Sequence, residues 1–142
     1  MQYNLERFLL AQAKNYKDAF NEIKNGKKRS HWMWYVFPQI QGLGISSTAK
    51  YYAINDIGEA AAYLKHPVLG TRLIQITEAL LKVENKTALG IFSCPDDMKL
   101  KSCMTLFSLL DETNPVFENV LNKYFQGEKD SRTVEILSNK NI

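Results

Sequence analysis

Apolar residues recur along this chain at spacings of three and four, and almost nowhere in strict alternation. Leu5, Phe8 with Leu9, Tyr16, Ala19 with Phe20, and Ile23 trace one helical face, with Gln12 as its polar exception. Asn25-Gly26 is the stop signal. Ser46 or Ser47 suits the cap of a short helix through Tyr52 and Ile54. Asp56, with Glu59 three residues on, starts a helix to Lys65 in the manner of a capping box. His66-Pro67 breaks it, and Pro67 is placed to open the next helix, whose stripe is Leu69, Leu73, Ile76 and Leu80. After a turn at Asn85-Lys86, Cys94-Pro95-Asp96 begins a helix running past Leu100, Met104 and Phe107. Asn114-Pro115 caps another, with Phe117, Val120, Leu121 and Tyr124 inward and Gly127 after its end. Asp130 or Ser131 caps a last short helix carrying Val134 and Leu137.

Two stretches resist assignment. Residues 32–37 are six large apolar side chains in a row, which fit a buried strand or a helix apolar all round, ended either way by Pro38. Residues 87–92 are short and of open type. Helical patterns cover most of the chain and no hairpin turn signal appears. The expectation is therefore an all-α fold of about seven helices, in a single domain over 1–142. A chain of this length buries roughly two thirds of its unfolded surface.

Charge changes the picture in one place. The net charge is only +3, but Lys24, Lys27, Lys28 and Arg29 put +4 within six residues. That is a local basic patch on a near-neutral body, unlike the general positive surface of a protein that coats DNA. No stretch approaches the ~20 apolar residues of a membrane span, and the first seven residues lack the pattern of a signal peptide. Two cysteines, Cys94 and Cys103, read as reduced thiols. A cytoplasmic monomer or dimer without membrane attachment is expected.

The basic patch runs straight into aromatic residues: Lys27-Lys28-Arg29-Ser30-His31-Trp32-Met33-Trp34-Tyr35-Val36-Phe37-Pro38-Gln39. Cations beside flat aromatic faces suit a ligand that is both anionic and partly planar. Lys28, Arg29, His31, Trp32, Trp34 and Gln39 are the candidate ligand residues, with Arg72 and Lys99 as further cations. The competing reading is a buried aromatic layer with a solvated basic edge. Residues two apart diverge by ~200° on a helix, so a helical block turns only one tryptophan toward a ligand. A second polar cluster, Asp96-Asp97-Met98-Lys99-Leu100-Lys101-Ser102, places acid, amine and hydroxyl in one helical turn. His31, Asp96 and Asp97 are the candidates for acid–base chemistry, against the plainer reading of a charged helix start facing water.

Weaker signals add little. Gly42-Leu43-Gly44 before Ser46 is a phosphate cradle or, more simply, a turn, because the full nucleotide-binding fingerprints are absent. His31 and His66 have no cysteine or carboxylate at ligand spacing, so neither metal nor cofactor is expected. His66-Pro67 reads as a helix junction. Cys94 fits a small buried thiol better than an activated one.

With these segments laid out, the chain resembles the bacterial family known as domain of unknown function 1810. The resemblance rests on Gly26-Lys27-Lys28, Ser30-His31-Trp32-Met33-Trp34, Phe37-Pro38-Gln39 and Gly42-Leu43-Gly44, and later on His66-Pro67, Arg72-Leu73, Ile91-Phe92 and Met104-Thr105-Leu106-Phe107. It implies a compact, mostly helical fold and no particular reaction. Some relatives carry the label calpastatin, which finds no support here, since such an inhibitor is a disordered repeat chain. The chain departs from the family pattern at Ser93, where glycine is usual, and at Cys103, where serine is usual.

Two functions follow as expectations. One is binding of a nucleotide-like or phosphorylated small molecule, with hydrolysis of an ADP-ribose-type linkage as its enzymatic version. The other is an interaction module whose basic and aromatic edge docks RNA or a protein. Concavity separates them: a pocket of a few hundred cubic ångströms favours the small ligand, a flat face the macromolecule.

Overall fold

The structure, a computed structural model, describes residues 3–140. Nine helices occur among those residues: α1 (Glu6–Lys24), α2 (Met33–Val36), α3 (Ser47–Tyr52), α4 (Ile57–Lys65), α5 (Leu69–Leu81), α6 (Ala88–Phe92), α7 (Asp96–Ser108), α8 (Val116–Phe125) and α9 (Ser131–Lys140). The count exceeds seven because α2, α3 and α6 are one- or two-turn pieces. No strand forms among the described residues, and a lone parallel bridge joins Ile40 to Ile54. No described helix is long and apolar enough to cross a membrane.

One hydrophobic cluster runs through the molecule. α5 lies against α1, α4 and α8, and α7 packs on α6, α8 and α9. The stripe Leu69, Leu73, Ile76 and Leu80 is fully enclosed, as are Phe117, Val120 and Leu121 of α8. Within residues 32–37, Met33–Val36 form the single helical turn α2, flanked by Trp32 and Phe37, and Trp32, Met33, Tyr35, Val36 and Phe37 are all buried. Trp34 alone on this turn is left half-open.

Polar side chains set the joints. Ser46 Oγ caps α3 on Ala49 N (3.1 Å), Asp56 Oδ1 caps α4 on Glu59 N (2.8 Å), and Asp130 Oδ2 caps α9 on Thr133 N (3.0 Å). At the His66-Pro67 junction, His66 Nδ1 accepts from Val68 N (3.1 Å) and Leu69 N (3.2 Å), so the imidazole closes the turn. α5 is regular only from Leu69. Its first helical bond, Gly70 N to His66 O (2.9 Å), nevertheless places Pro67 within the opening turn.

Two interior polar contacts were not visible in the sequence. Gln12, the polar exception of α1, donates through Nε2 to Tyr35 O (2.7 Å) and to Tyr63 Oη (2.9 Å), tying α1 to α2 and α4. The buried Arg7 guanidinium meets the buried Glu59 carboxylate at 3.0 and 3.3 Å and donates to the carbonyls of Tyr51 and Ala53. Glu59 Oε1 also accepts from Asn55 N (2.8 Å). Rather than completing a capping box on Asp56, Glu59 spends its charge on α1.

A face built by the basic loop, α2 and the start of α7

The loop 25–32 is held from below by one acid. Glu22, on the last turns of α1, accepts at Oε1 from Arg29 N (2.7 Å), Ser30 N (3.0 Å) and Trp32 Nε1 (2.8 Å), and at Oε2 from Ser30 Oγ (2.6 Å). Burial alone raises its carboxyl pKa. The hydrogen bonds from Ser30 Oγ, the Arg29 backbone, Trp32 and the Ser30 backbone outweigh that and hold it below the usual carboxylate value. Lys28 N donates to Ile91 O (2.9 Å), which fastens the same loop to α6.

That loop meets the second polar cluster. Asp96, in the first turn of α7, takes Lys28 Nζ on Oδ2 at 2.9 Å and Lys99 Nζ on Oδ1 at 3.5 Å. Lys28 Nζ lies 5.1 Å from the Trp32 ring centroid, and Lys99 Nζ lies 5.5 Å from that of Trp34. Lys28, Asp96, Lys99 and Trp34 thus form one surface from two segments far apart in the chain. The two tryptophans divide as helical geometry requires: Trp32 is wholly buried, with its indole N–H on Glu22, and Trp34 is half-open. Arg29 and His31 are exposed. Gln39 shares with Trp34 the wall of a dimple of about 10 Å³, completed by Gly44, Ala49 and Tyr52.

Other candidates go elsewhere. Arg72 sits on the α1–α5 seam, its guanidinium 5.2 Å from the Tyr16 ring centroid while Tyr16 Oη donates to Arg72 O (2.7 Å). Burial pushes the Tyr16 hydroxyl up to about 12, against the opposing pull of Arg72. Asp97 is half-buried, and its Oδ1 is enclosed without a hydrogen bond among the described residues. Gly42-Leu43-Gly44 is a turn in which Gly44 is required by packing, because a Cβ there would lie 2.4 Å from the Ala49 Cβ. Cys94 is exposed and not the buried thiol expected of it; it stands in the connection between α6 and α7. Cys103 is the buried one, and burial pushes its thiol pKa well up. Among the described residues no three His, Cys, Asp or Glu side chains gather around a common point.

The face is shallow. Three wider depressions, of about 560, 590 and 450 Å³, take none of the ten candidate residues into their walls. Glu22 was missed because on a helix it reads as one more solvated acid. The available signal was its place three residues before Asn25-Gly26, within reach of a chain that turns back.

Fold and face together define a small all-helical protein presenting a cation- and tryptophan-bearing surface set by two carboxylates, Glu22 under the loop and Asp96 between the lysines. The chain belongs to the family described as protein of unknown function (DUF1810), which it matches over residues 2–137. It is similar to the crystal structure of the conserved hypothetical protein Rv1873 from Mycobacterium tuberculosis, at 45% identity and a TM-score of 0.94, over 96% of this chain and 97% of that one. No curated protein matches it.

Proposed function

We propose that the protein is a binding module for single-stranded RNA, using the face of Arg29, His31, Trp34, Gln39 and Lys99, with Lys28 held beneath it on Asp96 and Ser30 O. The observation that carries this reading is the pairing of an open cation–tryptophan surface with a concavity of only about 10 Å³. A nucleotide-sized ligand needs a few hundred cubic ångströms to be enclosed. A polymer lying across the face needs none, since bases stack on aromatic faces while phosphates track cations. Trp32 supports the face from the core. The small-molecule reading, with Asp96 or Asp97 activating water at an ADP-ribose-type linkage, has less behind it. Asp96 is ion-paired to both Lys28 and Lys99, so its charge serves to hold the face together, and the Asp97 Oδ1, unpartnered among the described residues, is enclosed away from the surface.

Fluorescence anisotropy with a labelled 12-nucleotide oligouridylate, competed by ATP, ADP-ribose and NAD, tests the reading. Binding should weaken with salt, the log–log slope being about −0.7 per phosphate neutralised, and Arg29→Ala and Trp34→Ala should each reduce it. Binding of the nucleotides without the oligomer, or of neither, overturns the proposal.

A further inference from the structure

Tyr52, on the wall of the Trp34 dimple, also borders a second depression. The same tyrosine forms part of the wall of a groove of about 450 Å³ between α1 and α3, which Leu10, Ala11, Lys14, Asn15 and Tyr35 complete. The Tyr52 ring lies 5.2 Å from Tyr35 and 4.9 Å from Tyr51, the latter edge-on. Tyr51 is 56% exposed and Leu10 63%, large apolar surfaces that the fold leaves open. Asn15 Nδ2 donates to Tyr35 Oη at 2.5 Å, and Tyr35 Oη donates to His31 O at 3.2 Å. The far side of the groove is thereby joined to the basic loop. Among the described residues that line it, Lys14 is the charged one and there is no carboxylate.

From this shared wall we infer a second contact region for the same polymer: the strand crosses Trp34, passes Tyr52, and lies in the α1–α3 groove, with a phosphate near Lys14 and a base on the exposed Tyr51 that packs against Tyr52 beside the groove. The inference rests on the RNA reading of the first face. Its occupant follows from chemistry. Aromatic rings offer stacking faces to any base, and a lone lysine in a carboxylate-free wall favours an anion over a cationic or neutral segment. A path of two faces also predicts length dependence, because a second contact made by a tethered chain is intramolecular.

The experiment compares 4- and 12-nucleotide oligouridylates on the wild-type protein and on Lys14→Ala and Tyr51→Ala. Both positions are exposed, so the fold should persist, which circular dichroism checks. The 12-mer should bind the wild type more tightly than the 4-mer. Tyr51→Ala should weaken the 12-mer on the order of tenfold, the scale of one lost stacking contact, and Lys14→Ala should weaken it through a lost phosphate contact, both leaving the 4-mer unchanged. Lys14→Ala should also make the salt slope shallower by about 0.7. Tyr51→Phe, which keeps the stacking face, should restore 12-mer affinity. If the 12-mer binds equally to wild type and both variants while Trp34→Ala and Arg29→Ala weaken it, the groove is no part of the path and only this inference falls. If neither oligomer binds the wild type, the RNA reading and this extension fall together.

Discussion

Replacing Glu22 with alanine removes four hydrogen bonds at once, but their losses are unequal. The Arg29 and Ser30 amides and the Ser30 hydroxyl stand at the exposed loop and regain water. Trp32 Nε1 belongs to a fully buried side chain, so its donor is left without a partner. An orphaned buried donor costs about 1–3 kcal/mol, and exposed bonds exchanged for water cost a few tenths each. The sum is about 2–3 kcal/mol. At about 3 °C per kcal/mol for a chain of this size, the melting temperature should fall by ~6–9 °C at neutral pH. Acid gives the sign. Because the folded carboxyl is held below its ordinary value of 4.5, the stabilisation is whole above that pH and fades as pH falls through the folded value. Differential scanning calorimetry from pH 7 to pH 3 should therefore show the gap between wild type and Glu22→Ala closing at the acid end. A melting temperature within a degree of wild type at pH 7, or a gap that does not narrow in acid, would falsify the idea that Glu22 organises the loop.

Three further outcomes follow from particular contacts. Glu59→Ala strands the buried Arg7 guanidinium and should cost about 3–5 kcal/mol in urea unfolding, more than removing any surface ion pair. Ser93 sits at φ 65° and ψ 165°, a region that belongs essentially to glycine. Ser93→Gly should relieve about 1–3 kcal/mol of strain, lose up to about 1 kcal/mol to unfolded-state entropy, and so raise thermal stability. Trp32→Ala should cost about 3–5 kcal/mol while Trp34→Ala costs far less but impairs ligand binding, so comparable losses of stability would remove Trp34 from the site.

What could be read in the sequence was local. α1, α4, α5 and α8 announce themselves because their apolar stripes repeat every turn and breakers or a capping residue mark their ends: Asn25-Gly26, Asp56, Pro67, and Pro115 with Gly127. Residues 32–37 carry no period, since the one side of this turn left open is occupied by a tryptophan, Trp34, and not by a polar side chain. Arg7 and Glu59 lie 52 positions apart, a separation at which no spacing rule operates. Lys28 was legible as a cation beside aromatics and Lys99 as part of the 96–102 polar cluster, but their meeting on Asp96 depends on the loop being drawn to α6 through Ile91. Ser93 stood out as a departure from the family pattern, and its backbone angle explains why glycine is usual there.

The bridge between Ile40 and Ile54 has a consequence for handling the protein. Gln41 N to Ile54 O and Ile54 N to Gln39 O, both 2.8 Å, close the neck of the excursion that holds the turn and α3. Its tip, Ile45, is 90% exposed. Lengthening a loop whose ends are already pinned costs little closure entropy, about 0.6 kcal/mol per doubling. Position 45 is therefore an attachment point for a dye or an affinity tag, one that leaves the hydrogen bonds at the neck in place.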